Sequence, residues 1–211
     1  MKILKKIIKD KVADLTKREI CESALEIIKE RGFSDCTMNE IAHRAGVSVG
    51  TVYNYFENKQ CLLFYLKKQL TRDMISNLSL YIEEDLPPAE LLNKIIHKIF
   101  SFQNEYNFIY DVNNQRQYHD EEKKEILRNL NQTTAIVRRI LNEGVAKKTF
   151  NKINTLQSAR LVILSCIGIT MLRMVFKEQK LPFSYQLILN NFYSLIESNG
   201  CVCEPKTPPP D

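Results

Sequence analysis

Residues 37–56 read TMNEIAHRAGVSVGTVYNYF, and their chemistry is that of a surface made to hold a polyanion. Thr37 and Ser48 each place a short hydroxyl where a helix would begin, beside free backbone amides and the positive end of the helix dipole, an arrangement that clamps phosphate. Ala45-Gly46-Val47 joins two short helices through a small-residue turn. That is helix-turn-helix spacing, in which the first helix crosses the DNA backbone and the second lies in the major groove. Ile41, Ala45, Val47, Val52 and Phe56 fall where they can pack together, which leaves Thr37, Ser48, Val49, Thr51, Tyr53, Asn54 and Tyr55 to face outward. Asn pairs with adenine and Val packs on a thymine methyl, so this face has the means to read bases.

No other constellation carries a reaction. The sequence has no Walker loop, no GxSxG, no HExxH and no Cys/His run with zinc-finger spacing. No enzyme, cofactor or metal site is expected. His119-Asp120-Glu121-Glu122 reads as a solvated helix start whose acids favour the dipole, and His97 as a hydrogen-bonded structural histidine. Cys36 and Cys61 flank the 37–56 unit and would sense oxidants only if a thiolate were stabilised there; buried inert thiols are the simpler reading. Cys201 and Cys203 would bind a soft metal or oxidise, and otherwise are plain thiols in a tail.

Helices must position these groups, and their punctuation is legible. Thr16 and Glu19 stand at capping-box spacing before Ile20, Ala24, Leu25, Ile27 and Ile28, with Gly32 as a closing cap, which predicts a helix over 16–31. Thr37 and Glu40 repeat the box, Ser48 can cap a third helix and Asn58 a fourth running to Glu84. Leu86-Pro87-Pro88 ends it. Further helices are expected near 89–104, 107–118, 120–147, 155–179 and 184–198, about nine in all, before a disordered tail over 200–211. The fold class is therefore all-α.

Charge is unevenly spread. The 211 residues carry a net charge of +5. Residues 1–68 hold 13 basic and 9 acidic groups, a net of +4, while residues 69–211 hold 17 and 16, a net of +1. The excess thus lies in the third that would meet a polyanion. Ahead of Thr16, Lys2, Lys5, Lys6, Lys9 and Lys11 form either a basic arm adding phosphate or minor-groove contacts or a solvated extension of the first helix. No segment reaches the roughly 18 consecutive apolar residues that cross a bilayer. A cytoplasmic protein is expected, with free thiols.

The run from Thr37 to Phe56, followed by Lys59 and Leu62-Leu63, resembles the DNA-binding domain of the TetR family of bacterial transcriptional regulators. The similarity covers Thr16 to about Leu66, and A-G-V-S-x-G-T-x-Y-x-Y-F is its specific core. The resemblance implies that Thr51, Tyr55 and Lys59 contact phosphates, and that Val49, Gly50, Tyr53 and Asn54 meet base edges or adjoining backbone. Four parts are expected: a 1–15 basic extension ahead of the similarity, a DNA-binding domain over 16–66, a ligand-binding and dimerisation domain over 67–199, and the tail over 200–211. The ligand region is expected around Phe100, Phe102, Tyr106, Phe108, Tyr110, Asn113, Gln117, Tyr118, Gln132, Met171 and Met174, a set that is mostly core. Dimerisation is expected through 155–179 and 184–198, where Ser158, Ala159, Ser165, Cys166 and Gly168 lie beside Leu161, Leu164 and Leu172, and Leu187, Ile188, Phe192, Leu195 and Ile196 make the last helix apolar. The function implied is a dimeric, ligand-responsive repressor that binds a palindromic operator. The alternatives are a DNA-binding protein without an effector and a thiol or metal sensor.

Overall fold

The computed structural model describes residues 2–106, 120–176, 190, 192–194 and 196. It is all-α, and the complete elements among the described residues are α1 (Lys2–Arg31), α2 (Met38–Arg44), α3 (Val49–Tyr55), α4 (Lys59–Tyr81), α5 (Pro88–Glu105), α6 (Asp120–Ala146) and α7 (Thr155–Val175). The described positions between 190 and 196 are helical as well. The helix expected over 107–118 and the tail over 200–211 lie outside the described residues.

Two expected boundaries shift. The first helix does not start at Thr16: it runs unbroken from Lys2, and the Thr16 hydroxyl donates back to the Val12 carbonyl at 2.9 Å instead of capping. Residues 2–15 contain neither glycine nor proline, so nothing stops the helix from propagating through the capping-box spacing. Residues 2–15 are thus a continuation of the first helix. At the other end, α4 stops at Tyr81, and the amides of Ile82, Glu83 and Glu84 donate to Ser79, Leu80 and Tyr81 in a tightened final turn.

The described chain divides into two compact units, the first holding residues up to 72 with 120–122, the second holding 73–106 and the residues from 123 onward. The division falls inside α4, further along the same helix than the expected boundary at 66/67. In the first unit Ile20, Ala24, Ile27 and Ile28 of α1 meet Met38, Ile41 and Ala42 of α2, Val52 of α3, and Leu62, Leu63 and Leu66 of α4, with Cys36 and Phe56 filling the gaps. Each buried Leu or Ile here contributes about 1.5–3 kcal/mol over leaving it in water. Lys17 adds a cation–π contact, its Nζ 3.8 Å from the Tyr65 ring centre and 5.4 Å from that of Phe56.

In the second unit α5 packs on α7. Buried are Leu91, Leu92, Ile95, Ile96, Ile99, Phe100 and Phe102 on α5, Ile136, Val137, Ile140 and Leu141 on α6, and Ala159, Val162, Ile163 and Cys166 on α7. One buried polar link crosses from α7 to α5: the Thr170 hydroxyl lies 3.0 Å from Gln103 Oε1. Phe192 and Ile196 are buried too, the Tyr193 hydroxyl donates to the Ala89 carbonyl at 2.7 Å, and the Asn151 amide donates to that of Ile196 at 2.6 Å. Phe192 and Ile196 therefore serve the core of this unit and not an outer apolar side.

Candidate nucleic-acid interface

The turn between α2 and α3 is built by glycine. Gly46 sits at φ +66, where a side chain would be strained. Its amide donates to the His43 carbonyl at 3.2 Å and the Val47 amide to that of Ala42 at 3.0 Å, so the last carbonyls of α2 are satisfied as the chain reverses. Gly32, at φ +86, ends α1 in the same way, its amide donating to the Ile28 carbonyl at 2.8 Å.

Both helix starts are capped by hydroxyls. The Thr37 Oγ1 accepts from the Glu40 amide at 3.2 Å, while the Glu40 carboxylate accepts from the Thr37 amide at 3.3 Å, a complete capping box. Ser48 Oγ accepts from the Thr51 amide at 3.1 Å and shares a hydrogen with the Thr51 hydroxyl at 2.8 Å. Asn58 Oδ1 accepts from the Cys61 amide at 2.8 Å and caps α4.

Two ion pairs lock α2 against α1. Arg44 reaches Glu30 with both terminal nitrogens, at 2.7 and 2.8 Å, and lies 3.7 Å from Glu26. Arg31 donates to Glu40 at 2.6 Å. The guanidinium hydrogen bonds hold both the Glu30 and the Glu40 carboxyls below the usual carboxylate range.

On this frame α3 presents Ser48, Val49, Gly50, Tyr53 and Asn54 to solvent, with Tyr53 52% exposed, and Val52 is the side chain it buries. Thr37 is exposed as well. Three residues are less free than the sequence suggests. Thr51 is half-buried with its hydroxyl engaged by Ser48, and Tyr55 is half-buried against the hydrophobic core, because an aromatic ring at the end of α3 spans core and surface together. Lys59, also half-buried, aims its ammonium at the Phe33 and Ser34 carbonyls, at 2.8 and 3.1 Å, over the Phe33 ring at 4.4 Å. Sequence reasoning missed this tie, since no local signal joins residues 26 apart.

The sequence's other candidates scatter. Phe100 and Phe102 are buried and Tyr106 is half-buried, its ring 4.9 Å from that of Phe102. Arg173 lies over the Phe100 ring at 4.8 Å. Gln132 and Met171 are exposed, because α6 and α7 turn those positions away from the interior, so neither lines the core of the unit. Phe108, Tyr110, Asn113, Gln117 and Tyr118 lie outside the described residues, as does the Met174 side chain. Of the small residues on α7, Ala159 and Cys166 face the core, Ser158 and Ser165 are half-buried and Gly168 is exposed. The outer side of α7 instead shows Leu161, Leu164, Met171 and Leu172. By length and composition alone Thr155–Arg173 would cross a bilayer, although Gln157, Arg160 and Arg173 interrupt it.

Burial raises the thiols of Cys21 and Cys166 to about 12 and that of Cys36 above its ordinary value. Cys61 is half-buried, and Cys201 and Cys203 lie outside the described residues. Among the described residues no group of three His, Cys, Asp or Glu side chains is placed to hold a metal.

Comparison with known proteins agrees with this geometry. The profile described as bacterial regulatory proteins, tetR family, matches residues 20–66. A fatty acid metabolism regulator protein of Bacillus subtilis is 30% identical over 164 residues, spanning 77% of this chain and 84% of that protein. The BetI transcriptional regulator of Brucella abortus is 34% identical over 87 residues, 41% of this chain and 44% of that one. Among solved structures, a FadR regulator of Bacillus subtilis in complex with stearoyl-CoA superimposes with a TM-score of 0.63 at 24% identity, covering 84% of this chain and 95% of the other.

Proposed function

The chain belongs to the tetR family of bacterial regulatory proteins and is a DNA-binding transcriptional regulator, and we propose that it is a homodimeric repressor released from its operator by a long-chain fatty acyl-CoA. The observation that carries this reading is the reach of the likeness to the fatty acid metabolism regulator, whose 164 matched residues extend far beyond the DNA-binding segment. The stearoyl-CoA bound by the FadR structure of similar fold supports this choice of ligand class.

The interior of the second unit is apolar, as an acyl chain requires: buried side chains of α5, α6 and α7 make it up, and the Phe102 and Tyr106 rings lie 4.9 Å apart at the end of α5. On the DNA side, Thr37, Ser48, Thr51, Tyr55 and Lys59 grip phosphates, and Val49, Gly50, Tyr53 and Asn54 meet base edges. The regulator works in the cytoplasm, where its operator is.

Dimerisation uses the outer side of α7. Leu161, Leu164, Gly168, Met171 and Leu172 follow one helical stripe, and all five are exposed. A two-fold copy covers that stripe, and a palindromic operator asks for two α3 helices about 34–36 Å apart, one turn of DNA. The effector then shifts the population toward a conformation whose paired α3 helices miss successive grooves, so effector and operator are reciprocally linked.

Fluorescence anisotropy on palindromes upstream of the gene tests the reading. Nanomolar binding at low salt that is reversed by palmitoyl- or stearoyl-CoA, but not by free CoA, supports it. Binding that no acyl-CoA reverses removes the ligand class, and absence of binding to any upstream palindrome removes the operator assignment.

A further inference from the structure

The positive charge of the DNA-binding third is not where its base-reading residues are. Residues 2–15 hold five lysines and two aspartates, a net of +3, whereas residues 16–68 hold eight basic and seven acidic groups, a net of +1. The family match begins at residue 20, and Ile20 is also the first residue of α1 that the described burial shows inside the core. Yet α1 starts at Lys2 without a break. Its first four turns, about 21 Å at 1.5 Å per residue, therefore extend beyond the core they are rigidly joined to.

That extension is apolar where it meets water. Ile7, Ile8, Val12 and Leu15 are 48, 54, 56 and 59% exposed. Ile8, Val12 and Leu15 recur at the i, i+4, i+7 spacing of one stripe, with exposed Lys11 beside them, and the sequence adds lysines at 2, 5, 6 and 9, an i, i+3, i+4, i+7 series of its own. Eighteen residues make five helical turns, so Ile8 and Val12 stand in line with Glu26 and Glu30, which are exposed, and not with Ile20, Ala24 or Ile27, which α1 buries. The apolar stripe of the extension is a separate one, turned away from the core stripe.

We propose that the first four turns of α1 are an interfacial helix that binds an anionic lipid surface. The chemistry selects that occupant over two others. DNA would engage the lysines and leave four large apolar side chains in water. A second copy would bring two helices of +3 charge together along their flanks. An anionic bilayer surface takes both halves of the pattern, the apolar stripe entering the boundary between headgroups and acyl chains while the lysines meet the charged headgroups. Each basic residue near such a surface raises partitioning about five-fold.

Flotation of the purified full chain with vesicles tests this, using phosphatidylcholine alone and phosphatidylcholine mixed with phosphatidylglycerol. Two variants change only the extension, Ile8→Asn with Leu15→Asn, and Lys5→Gln with Lys6→Gln and Lys9→Gln; unchanged circular dichroism verifies their fold. The expected result is flotation with the mixed vesicles and not with phosphatidylcholine, a loss of about 100-fold in partitioning for the lysine variant, and a loss of at least about ten-fold for the apolar variant with unchanged operator affinity. Absence of flotation, or equal flotation of the apolar variant, overturns the proposal. So does a lysine variant whose sole effect is a shallower salt dependence of DNA binding, which would give the extension to DNA, or an apolar variant that changes only the sedimenting mass, which would give it to a second copy.

Discussion

The Lys59 ammonium, at the first position of α4, donates to the carbonyl of Phe33 in the turn between α1 and α2 at 2.8 Å. It also donates to the Ser34 carbonyl at 3.1 Å, which occupies two of its three hydrogens. One residue therefore ties the start of α4 to the element that leads into α2, with one hydrogen left over for the phosphate contact proposed above. Lys59→Met should remove both roles. Stability in urea is expected to fall by about 1.5–3 kcal/mol, the worth of a hydrogen bond from a charged group. Affinity for all DNA sequences should fall together, with the salt slope smaller by about 1.

Asn54 and Tyr55 are neighbours that differ in exposure. Asn54 is exposed on α3, while Tyr55 is half-buried against the core. Asn54→Ala should leave stability unchanged and alter preference among operator variants at one position by about 1–3 kcal/mol. Tyr55→Phe keeps the packing and deletes the hydroxyl, so binding to every sequence should weaken alike. A panel of single-base operator variants in competition anisotropy separates the two outcomes.

The pairs Glu30–Arg44 and Glu40–Arg31 make the clamp of α2 on α1 acid-sensitive. Both carboxyls have folded-state values below their ordinary 4.5. A depressed folded value means that the stabilisation is present above the unfolded value and is lost as pH falls through the folded one. Thermal unfolding should therefore show the DNA-binding unit weakening progressively from about pH 5 downward. In Glu30→Gln with Glu40→Gln that acid slope should be shallower, and the pH 7 stability lower than in the parent.

The capping box at Thr37 and Glu40 and the glycines at 32 and 46 were readable because each depends on residues within one turn. The Thr16–Glu19 box shows the limit of that logic: the spacing is present, but a cap forms only where the preceding chain leaves the helix, and Val12 to Leu15 give it no reason to. Longer-range facts were hidden. The Lys59 tie spans 26 residues, and the exposure of Gln132 and Met171 is decided by which side of α6 and α7 other helices cover. Tyr55 has a chemistry that suits core and surface alike, so its type does not decide its half-buried place. The exposed residues on α3 are legible from type and spacing, whereas a ligand-lining surface has no motif, since Leu and Ile packing a core and Leu and Ile lining a ligand look alike in sequence.

Thiol chemistry should be silent in the folded state. Burial raises Cys21 and Cys166 to about 12 and lifts Cys36 as well, so few thiolates exist near neutral pH. Iodoacetamide at pH 8 followed by mass spectrometry should leave these three unmodified in the native protein and label them in urea. Peroxide treatment should not release the operator. Rapid native-state labelling of Cys36 would contradict its burial and revive a redox reading.

Gly144 and Phe150 close the turn from α6 toward α7. The Gly144 carbonyl accepts from the amides of Thr149 and Phe150 at 2.9 and 3.1 Å, Lys148 takes φ +59 between them, and the Phe150 ring folds back over the glycine. A Cβ on residue 144 would run into that ring. In an open helix Gly→Ala stabilises by about 0.5–1 kcal/mol. Here overpacking costs about 1–3 kcal/mol, so Gly144→Ala should lower stability in urea. In a Phe150→Ala background the obstruction is gone and the same substitution should become neutral or stabilising. A double-mutant cycle measures that sign change, and a Gly144→Ala cost that is equal in both backgrounds would show that the ring is not its cause.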